Sequence, residues 1–231
     1  MKTILEDHKE FICDIEAPCF SYLEKEEAEM IRSGRTQVQF RKGDTITKQG
    51  AFSSYILFSV RGFAKQYLEG ENNKYFNIKV ITPGEFIGLS SAFDQVKFDY
   101  TTVALTDFQA FLIEKDAVAG LIKKNGTFGF NIARRYCRQN SSLYDTMSAL
   151  YFRQMSGRLA GVLLYLDELW TRYPELNGML TRKDIAFFCG ISTENCVREL
   201  KSLESEGIIK LADKQIHLTD RKTLGLIRDR G

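Results

Sequence analysis

The residue set most able to do chemistry in this 231-residue chain is an acid and a base one helical turn apart. In GISTENCVRELKSLE, residues 190–204, Glu194 precedes Arg198 by four positions, which places both on one face of a helix. Two uses fit that spacing. On an ordinary surface, Glu194 complements the helix dipole, worth about 0.3–1 kcal/mol, and pairs with Arg198 at (i, i+4). Against duplex DNA, a carboxylate is an acceptor only, so the base edge that suits it is a donor such as the cytosine amino group. Arg198 can then donate to guanine O6 and N7 as a bidentate pair. A carboxylate beside phosphates is repelled, so in that second use it serves specificity at the expense of affinity.

Other reactive residues are sparse. The five cysteines (Cys13, Cys19, Cys137, Cys189 and Cys196) are odd in number, scattered and in no CxxC pair, which argues against a disulfide framework. A metal-dependent β-barrel enzyme would need two or three histidines with a carboxylate facing the barrel interior. The only histidines are His8 and His217, so that alternative is disfavoured, and no catalytic or metal-binding set is assigned.

The elements that must position Glu194 and Arg198 follow from pattern. Thr181 followed by Asp184 has the form of a capping box, with Ile185, Ala186 and Phe188 as the apolar side of a short helix that stops at Cys189-Gly190. Ile191 is expected as a buried plug in the turn, and Ser192 caps the next helix. Val197, Leu200, Leu203 and Ile208 are its core face. Two short helices joined by a glycine-containing turn form a helix-turn-helix. The run IIKLADKQIHL reads as two strands about Ala212-Asp213-Lys214, a wing. Upstream, Leu159, Val162, Leu163, Leu166 and Leu169 mark a helix from Ser156 to Trp170.

From about Val38 to Ile113 the texture is β. Runs such as YILFSV, AKQYL, KYFNIKVI and TTVAL are separated by turn glycines at spacings that suit an antiparallel roll. A short helix over YLEKEEAEMIRSG precedes it and ends at Gly34. After Lys123-Lys124-Asn125-Gly126, Thr127 is expected to cap a long helix. Ala133, Tyr136, Asn140, Leu143, Met147 and Leu150 recur along it at 3-4-3-4-3, the seam of a coiled coil. A lone Asn at such a seam fixes register in a dimer. The fold class is therefore α+β: an N-terminal jelly-roll-like β-roll with its helix (1–126), a dimerisation helix and hinge (127–155), and a winged helix-turn-helix (156–231). Net charge is −2 over residues 1–126, +2 over 127–150 and +2 over 151–231, too weak a basic excess to imply nucleic acid by itself. No window approaches the ~20 apolar residues of a membrane span, so no membrane partner is expected.

RKGDTITKQG, then VRG at 60–62, PGEFIG at 83–88, SGRLA at 156–160 and LTRKDIAFFCGISTENCVREL at 180–200 occur in an order and spacing that resemble the bacterial Crp/Fnr transcription regulators. The resemblance covers nearly the whole chain. It implies a cytoplasmic homodimer on a palindromic double-stranded DNA site, a contact with RNA polymerase, and no enzymatic activity. In the family's recognition helix, a Glu and an Arg four positions later read adjacent base pairs, and Glu194 and Arg198 stand at those positions. Thr193 occupies the place where some members carry an Arg for an outer guanine, which leaves that base open. Arg182, Lys183, Ser192 and Lys201 are candidates for phosphate contacts, and Lys210 and Lys214 for the wing.

The resemblance also locates an effector cassette, Gly84, Glu85, Gly88, Leu89, Ser90, Asp99 and Tyr100, and this chain departs from it. Nucleotide-binding members place a ribose-binding Glu after the glycine matching Gly88, and about ten residues on an Arg-Ser pair for the cyclic phosphate. Here those places hold Leu89 and Asp99-Tyr100. Leucine cannot accept a ribose hydrogen bond and an acid repels phosphate, so cyclic AMP bound in the usual way is not expected. An Fnr-type iron–sulfur cluster needs four cysteines, but only Cys13 and Cys19 lie near the N-terminus and none falls between residues 20 and 136. Haem usually takes an axial His, Cys or Met, and the roll has no His or Cys. The cofactor and small-molecule effector stay unknown. A regulator without a ligand and a Cys13/Cys19 thiol switch are the alternatives.

Overall fold

The computed structural model describes residues 1–4, 12, 20–93 and 96–231. Cys13, Cys19 and His8, and with them the thiol switch, lie outside the described residues. By contact density the chain divides into two units, Met1–Glu69 with Lys79–Asn140, and Gly70–Ile78 with Ser141–Gly231.

The first unit is built on the antiparallel roll. In chain order its elements are β1 (Lys2–Ile4), α1 (Lys25–Ser33), β2 (Thr36–Phe40), β3 (Thr45–Thr47), β4 (Tyr55–Arg61), β5 (Ala64–Glu69), β6 (Tyr75–Ile81), β7 (Phe86–Ile87), β8 (Thr101–Ala104), β9 (Phe108–Glu114) and α2 (Lys115–Lys124). The strands form one sheet in the order β1-β2-β9-β4-β7 and another in the order β3-β8-β5-β6. Alternation along the strands turns Val38, Phe40, Leu57, Ala64, Ile81, Ala104 and Phe108 into one apolar cluster. A second cluster, with Phe58, Phe86, Phe111 and Phe128, is joined by Ile31 of α1 and by Val118 and Leu121 of α2. In α1 the buried apolar residue is Ile31, with Glu27 the buried polar one, while Met30 stays exposed. Gly62, in the VRG turn, must be glycine. Its φ is +84° and a Cβ there would stand 2.1 Å from the Asp107 carbonyl oxygen.

The long helix α3 runs Gly126–Phe152. Its cap is not Thr127: the Asn125 side-chain oxygen accepts the Phe128 N–H at 2.9 Å, and the Asn125 amide also donates to Glu27 at 2.7 Å. Asn125 therefore caps α3 and ties it to α1, and the Glu27 carboxyl is held below its ordinary value chiefly by that amide.

The second unit continues with α4 (Met155–Arg172), α5 (Arg182–Cys189), α6 (Thr193–Ser205), β10 (Ile209–Ala212), β11 (Gln215–Leu218) and α7 (Arg221–Arg230). Leu159, Leu163, Leu166 and Trp170 of α4 are buried, as are Ile185, Ala186 and Phe188 of α5, Cys196, Leu200 and Leu203 of α6, and Leu224 of α7. Ile191 is only half-buried, whereas Cys189 and Cys196 on either side of the turn are fully buried. Burial pushes both thiols up, Cys196 to about 11, so they are neutral packing groups. Residues 70–78 belong to this unit through Asn77, whose buried amide donates to the Asp184 carbonyl at 2.9 Å, and through Tyr75, whose ring lies 5.8 Å from that of Phe187.

Candidate nucleic-acid interface and effector cassette

Local chemistry fixes the two helices that present Glu194 and Arg198. At the start of α5, Thr181 Oγ1 accepts the Asp184 N–H at 3.1 Å while the Thr181 N–H donates to Asp184 Oδ2 at 2.9 Å, the reciprocal capping box. Gly190 ends α5 in the left-handed region at φ +61°. A side chain there would be strained and would meet Leu150 Cδ2 at 3.0 Å. Ser192 Oγ then accepts the Asn195 N–H at 3.1 Å and starts α6.

On α6 the buried residues Cys196, Leu200 and Leu203 face the core, which turns Thr193, Glu194, Arg198 and Lys201 to the exposed side. Neither Glu194 nor Arg198 has a hydrogen-bond or ion-pair partner among the described residues. The (i, i+4) ion pair that the surface reading requires is not formed. Lys183 is exposed, its ammonium 5.5 Å from the centre of the Phe187 ring. The Ser192 hydroxyl uses a lone pair in its cap and keeps its proton for an acceptor.

Arg182 is placed otherwise than a free phosphate contact would be. It is half-buried, and one guanidinium nitrogen donates to the Asp213 carbonyl in the wing turn at 3.3 Å. Burial lowers its pKa, opposed by Cys196, Glu204 and Asp213. Two more side chains brace the wing. Asn177 accepts the Ile216 N–H at 3.1 Å and donates to the Ile216 carbonyl at 3.0 Å, and Glu204 accepts the Leu211 N–H at 2.8 Å. Sequence reasoning missed these three because each joins a polar side chain to backbone in another element, 7 to 39 residues away, which local pattern does not reveal. The wing turn is Asp213-Lys214, with Asp213 at φ +53°, and Lys210, Lys214 and His217 are exposed on it.

In the cassette, Glu85 organises its own turn. Its carboxylate accepts from Lys79 at 2.5 Å and from the Thr82 N–H and hydroxyl at 3.2 and 3.0 Å, while its N–H donates to Ser59 Oγ at 2.8 Å. The Gly84 carbonyl accepts from Arg135 of α3 at 2.9 Å. Leu89 is buried in the second apolar cluster, Ser90 is half-buried and Asp99 is exposed. Gly88 sits at φ +78° with the Phe98 ring only 2.6 Å from where a Cβ would be, and its N–H donates to the Tyr100 hydroxyl at 2.9 Å. The cassette backbone thus has one of this chain's own aromatic side chains as its partner.

Along α3, Ala133, Tyr136, Asn140 and Met147 are exposed. Leu143 and Leu150 are half-buried, Leu150 packing against Gly190, and the exposed stripe continues instead through Tyr144 and Tyr151.

Residues 37–125 match the cyclic nucleotide-binding domain family and residues 157–227 the Crp-like helix-turn-helix domain family. The chain belongs to the Crp/Fnr family. This Crp/Fnr protein is a transcription regulator and not an enzyme. Its relatives include the CRP-like cAMP-activated global transcriptional regulator of Mycobacterium tuberculosis, 24% identical over 195 residues that cover 81% of this chain and 85% of that protein. The cAMP-activated global transcriptional regulator CRP of Salmonella typhimurium is 25% identical over 176 residues, 74% of this chain and 84% of its own. Among solved structures, FixK2 from Bradyrhizobium japonicum shares the fold at a TM-score of 0.74 and 20% identity, over 84% of this chain and 96% of that one. Among the described residues of this regulator, no helix is long and apolar enough to cross a membrane.

Proposed function

We propose that this regulator acts as a homodimer joined along α3, placing two copies of α6 in successive major grooves of a palindromic double-stranded DNA site. Glu194 and Arg198 read base edges there, and Lys183, Ser192 and Lys201 hold phosphates. The observation that carries this reading is the absence of an ion pair between Glu194 and Arg198: two exposed, opposite charges (i, i+4) on one helix keep all their hydrogen-bonding capacity for an outside partner. The exposed stripe from Ala133 to Tyr151 on α3 supports the dimer, since aromatic and Met side chains at heptad-like spacing call for a covering helix.

The relatives named above are cAMP-activated. For this chain the signal is a different one, because Leu89 is packed into the core and the Gly88 amide is bonded to Tyr100. The experiment is selection from randomised duplexes with the full-length protein, followed by titration of the selected site at several salt concentrations. A two-fold symmetric motif is expected, with affinity falling linearly in log[salt] as phosphate-bound counterions are released. No enriched motif would mean that the winged helix recognises protein instead.

A further inference from the structure

Ile31 of α1 meets Val118 and Leu121 of α2 in the second apolar cluster, and beside that contact the two helices leave a gap. It is a cavity of about 300 Å³ between Glu26, Glu27 and Met30 of α1 and Asp116, Gly120 and Lys124 of α2. Two of these residues are costly to the fold on its own terms. Gly120 stands inside α2 without a left-handed backbone, and a Cβ on it would meet nothing within 4 Å. A glycine in a helix interior weakens the helix relative to alanine, and is otherwise kept for a positive φ or a close approach. Neither applies here, so what the missing side chain does is hold the cavity open. Glu27 is 7% exposed, a carboxylate largely removed from water. The Asn125 amide above all, with the Glu24 N–H and the Lys124 charge, keeps it ionised against that burial. Both hydrogen bonds go to Oε2, and Oε1 has no hydrogen-bond partner among the described residues. A buried charge with an unused acceptor is costly unless something pairs with it.

The lining sets the chemistry of that partner. Glu26 and Asp116 stand in the first turns of their helices, where the dipole already favours an acid, and they add their charge to that of Glu27. Lys124 is the one cation on the wall, so the cavity carries an excess of carboxylate. Its apolar part is Met30, Ala117 and Leu121, and the Met30 side chain is long enough to adapt to what presses on it. The volume lies at the lower end of small-molecule sites, and helices of nine and ten residues are too short to offer a protein-sized interface. We propose that the groove between α1 and α2 binds a small amphipathic cation, an ammonium or amidinium on an apolar body, with the cation on Glu27 and the body against Met30, Ala117 and the bare face of Gly120. The site uses no residue of α6, of the α3 stripe or of the effector cassette, so it stands independently of the DNA reading.

The test is isothermal titration of the full-length protein with tryptamine, and with tryptophol and indole-3-acetate, which keep the indole ring and replace the ammonium by a hydroxyl and a carboxylate. Saturable binding of tryptamine is expected, with tryptophol weaker by at least about tenfold, the scale of one hydrogen bond to a charged group, and indole-3-acetate weaker still. Glu27→Gln keeps an acceptor for the Asn125 amide and removes the charge, and should weaken tryptamine by at least about tenfold on the same grounds. Gly120→Leu puts a side chain into the cavity and should abolish tryptamine binding, while thermal unfolding stays at or above that of the parent because the helix gains propensity. Should Glu27→Gln fail to fold, Asp116→Asn takes its place and should weaken the same probe. The proposal is overturned if tryptamine does not bind, if tryptophol or indole-3-acetate binds as tightly, or if the folded variants bind as the parent does. In the first case the groove is left to a side chain of another protein.

Discussion

Glu194 stands at the end of α6 where the helix dipole and a polyanion make opposite demands on a carboxylate. The dipole favours it by about 0.3–1 kcal/mol, whereas in the proposed complex nearby phosphates would disfavour it. Glu194→Ala should therefore relax discrimination at one base pair by ~1–3 kcal/mol and leave non-specific affinity equal or improved. Arg198→Ala should lose specificity and overall affinity together. Site selection and titration of both variants check this; an unaltered base preference for Glu194→Ala would reduce the carboxylate to a dipole partner. Arg182 and Lys201 give a second contrast. Lys201 is exposed, so Lys201→Ala should weaken all sequences alike and make the salt slope shallower by about one unit. Arg182 is hydrogen-bonded to the wing at Asp213, so Arg182→Ala should leave the slope unchanged and lower the unfolding temperature instead. The sequence distinguished these residue types and their spacing but not these roles, because the Arg182 partner lies 31 residues away.

Elements were legible wherever their signals are local. The capping box of α5, the Ser192 cap, the Gly190 stop and the wing turn each depend on residues within four positions, and all occur near the places that their patterns predict. Two helices went unread. α2 follows β9 directly, has no side-chain cap and carries Gly120, whereas α7 has a local cap, the Asp220 carboxylate accepting the Thr223 N–H at 3.0 Å, but carries Gly225 and buries only Leu224, too little apolar periodicity to mark it. Strand order was also illegible, since alternation shows which face is buried and says nothing of which strand lies beside which. The α3 seam lies between these extremes: its period was readable, while Leu150 turned out to pack on Gly190 and Tyr144 and Tyr151 to stay exposed. Met147, 64% exposed, remains the sharpest probe. Met147→Glu should leave the fold intact and shift sedimentation toward monomer, since like charges would meet across a two-fold axis. Leu150→Glu should lower thermal stability, because it places a charge against a packed turn. An unchanged sedimentation coefficient for Met147→Glu at micromolar concentration would remove α3 as the dimer interface.

For the whole molecule, charge decides little and symmetry decides more. A net charge of +2 gives weak general attraction to a polyanion, so in the proposed dimer tight binding would have to come from two recognition helices engaging at once. Two-fold symmetry then sets a geometric demand: the half-site centres must lie one helical turn apart, ~10–10.5 base pairs. Inserting about half a turn, ~5 base pairs, between the selected half-sites rotates one of them to the opposite face of the duplex. A dimer held along α3 cannot follow it, so affinity should fall to that of a single half-site, while the base preferences within each half-site stay as they were. Gel-shift titration of the parent and spaced duplexes measures both quantities. If the spaced duplex bound as tightly as the parent, the two winged helices would be engaging DNA independently, and the exposed stripe on α3 would need a partner other than its own copy.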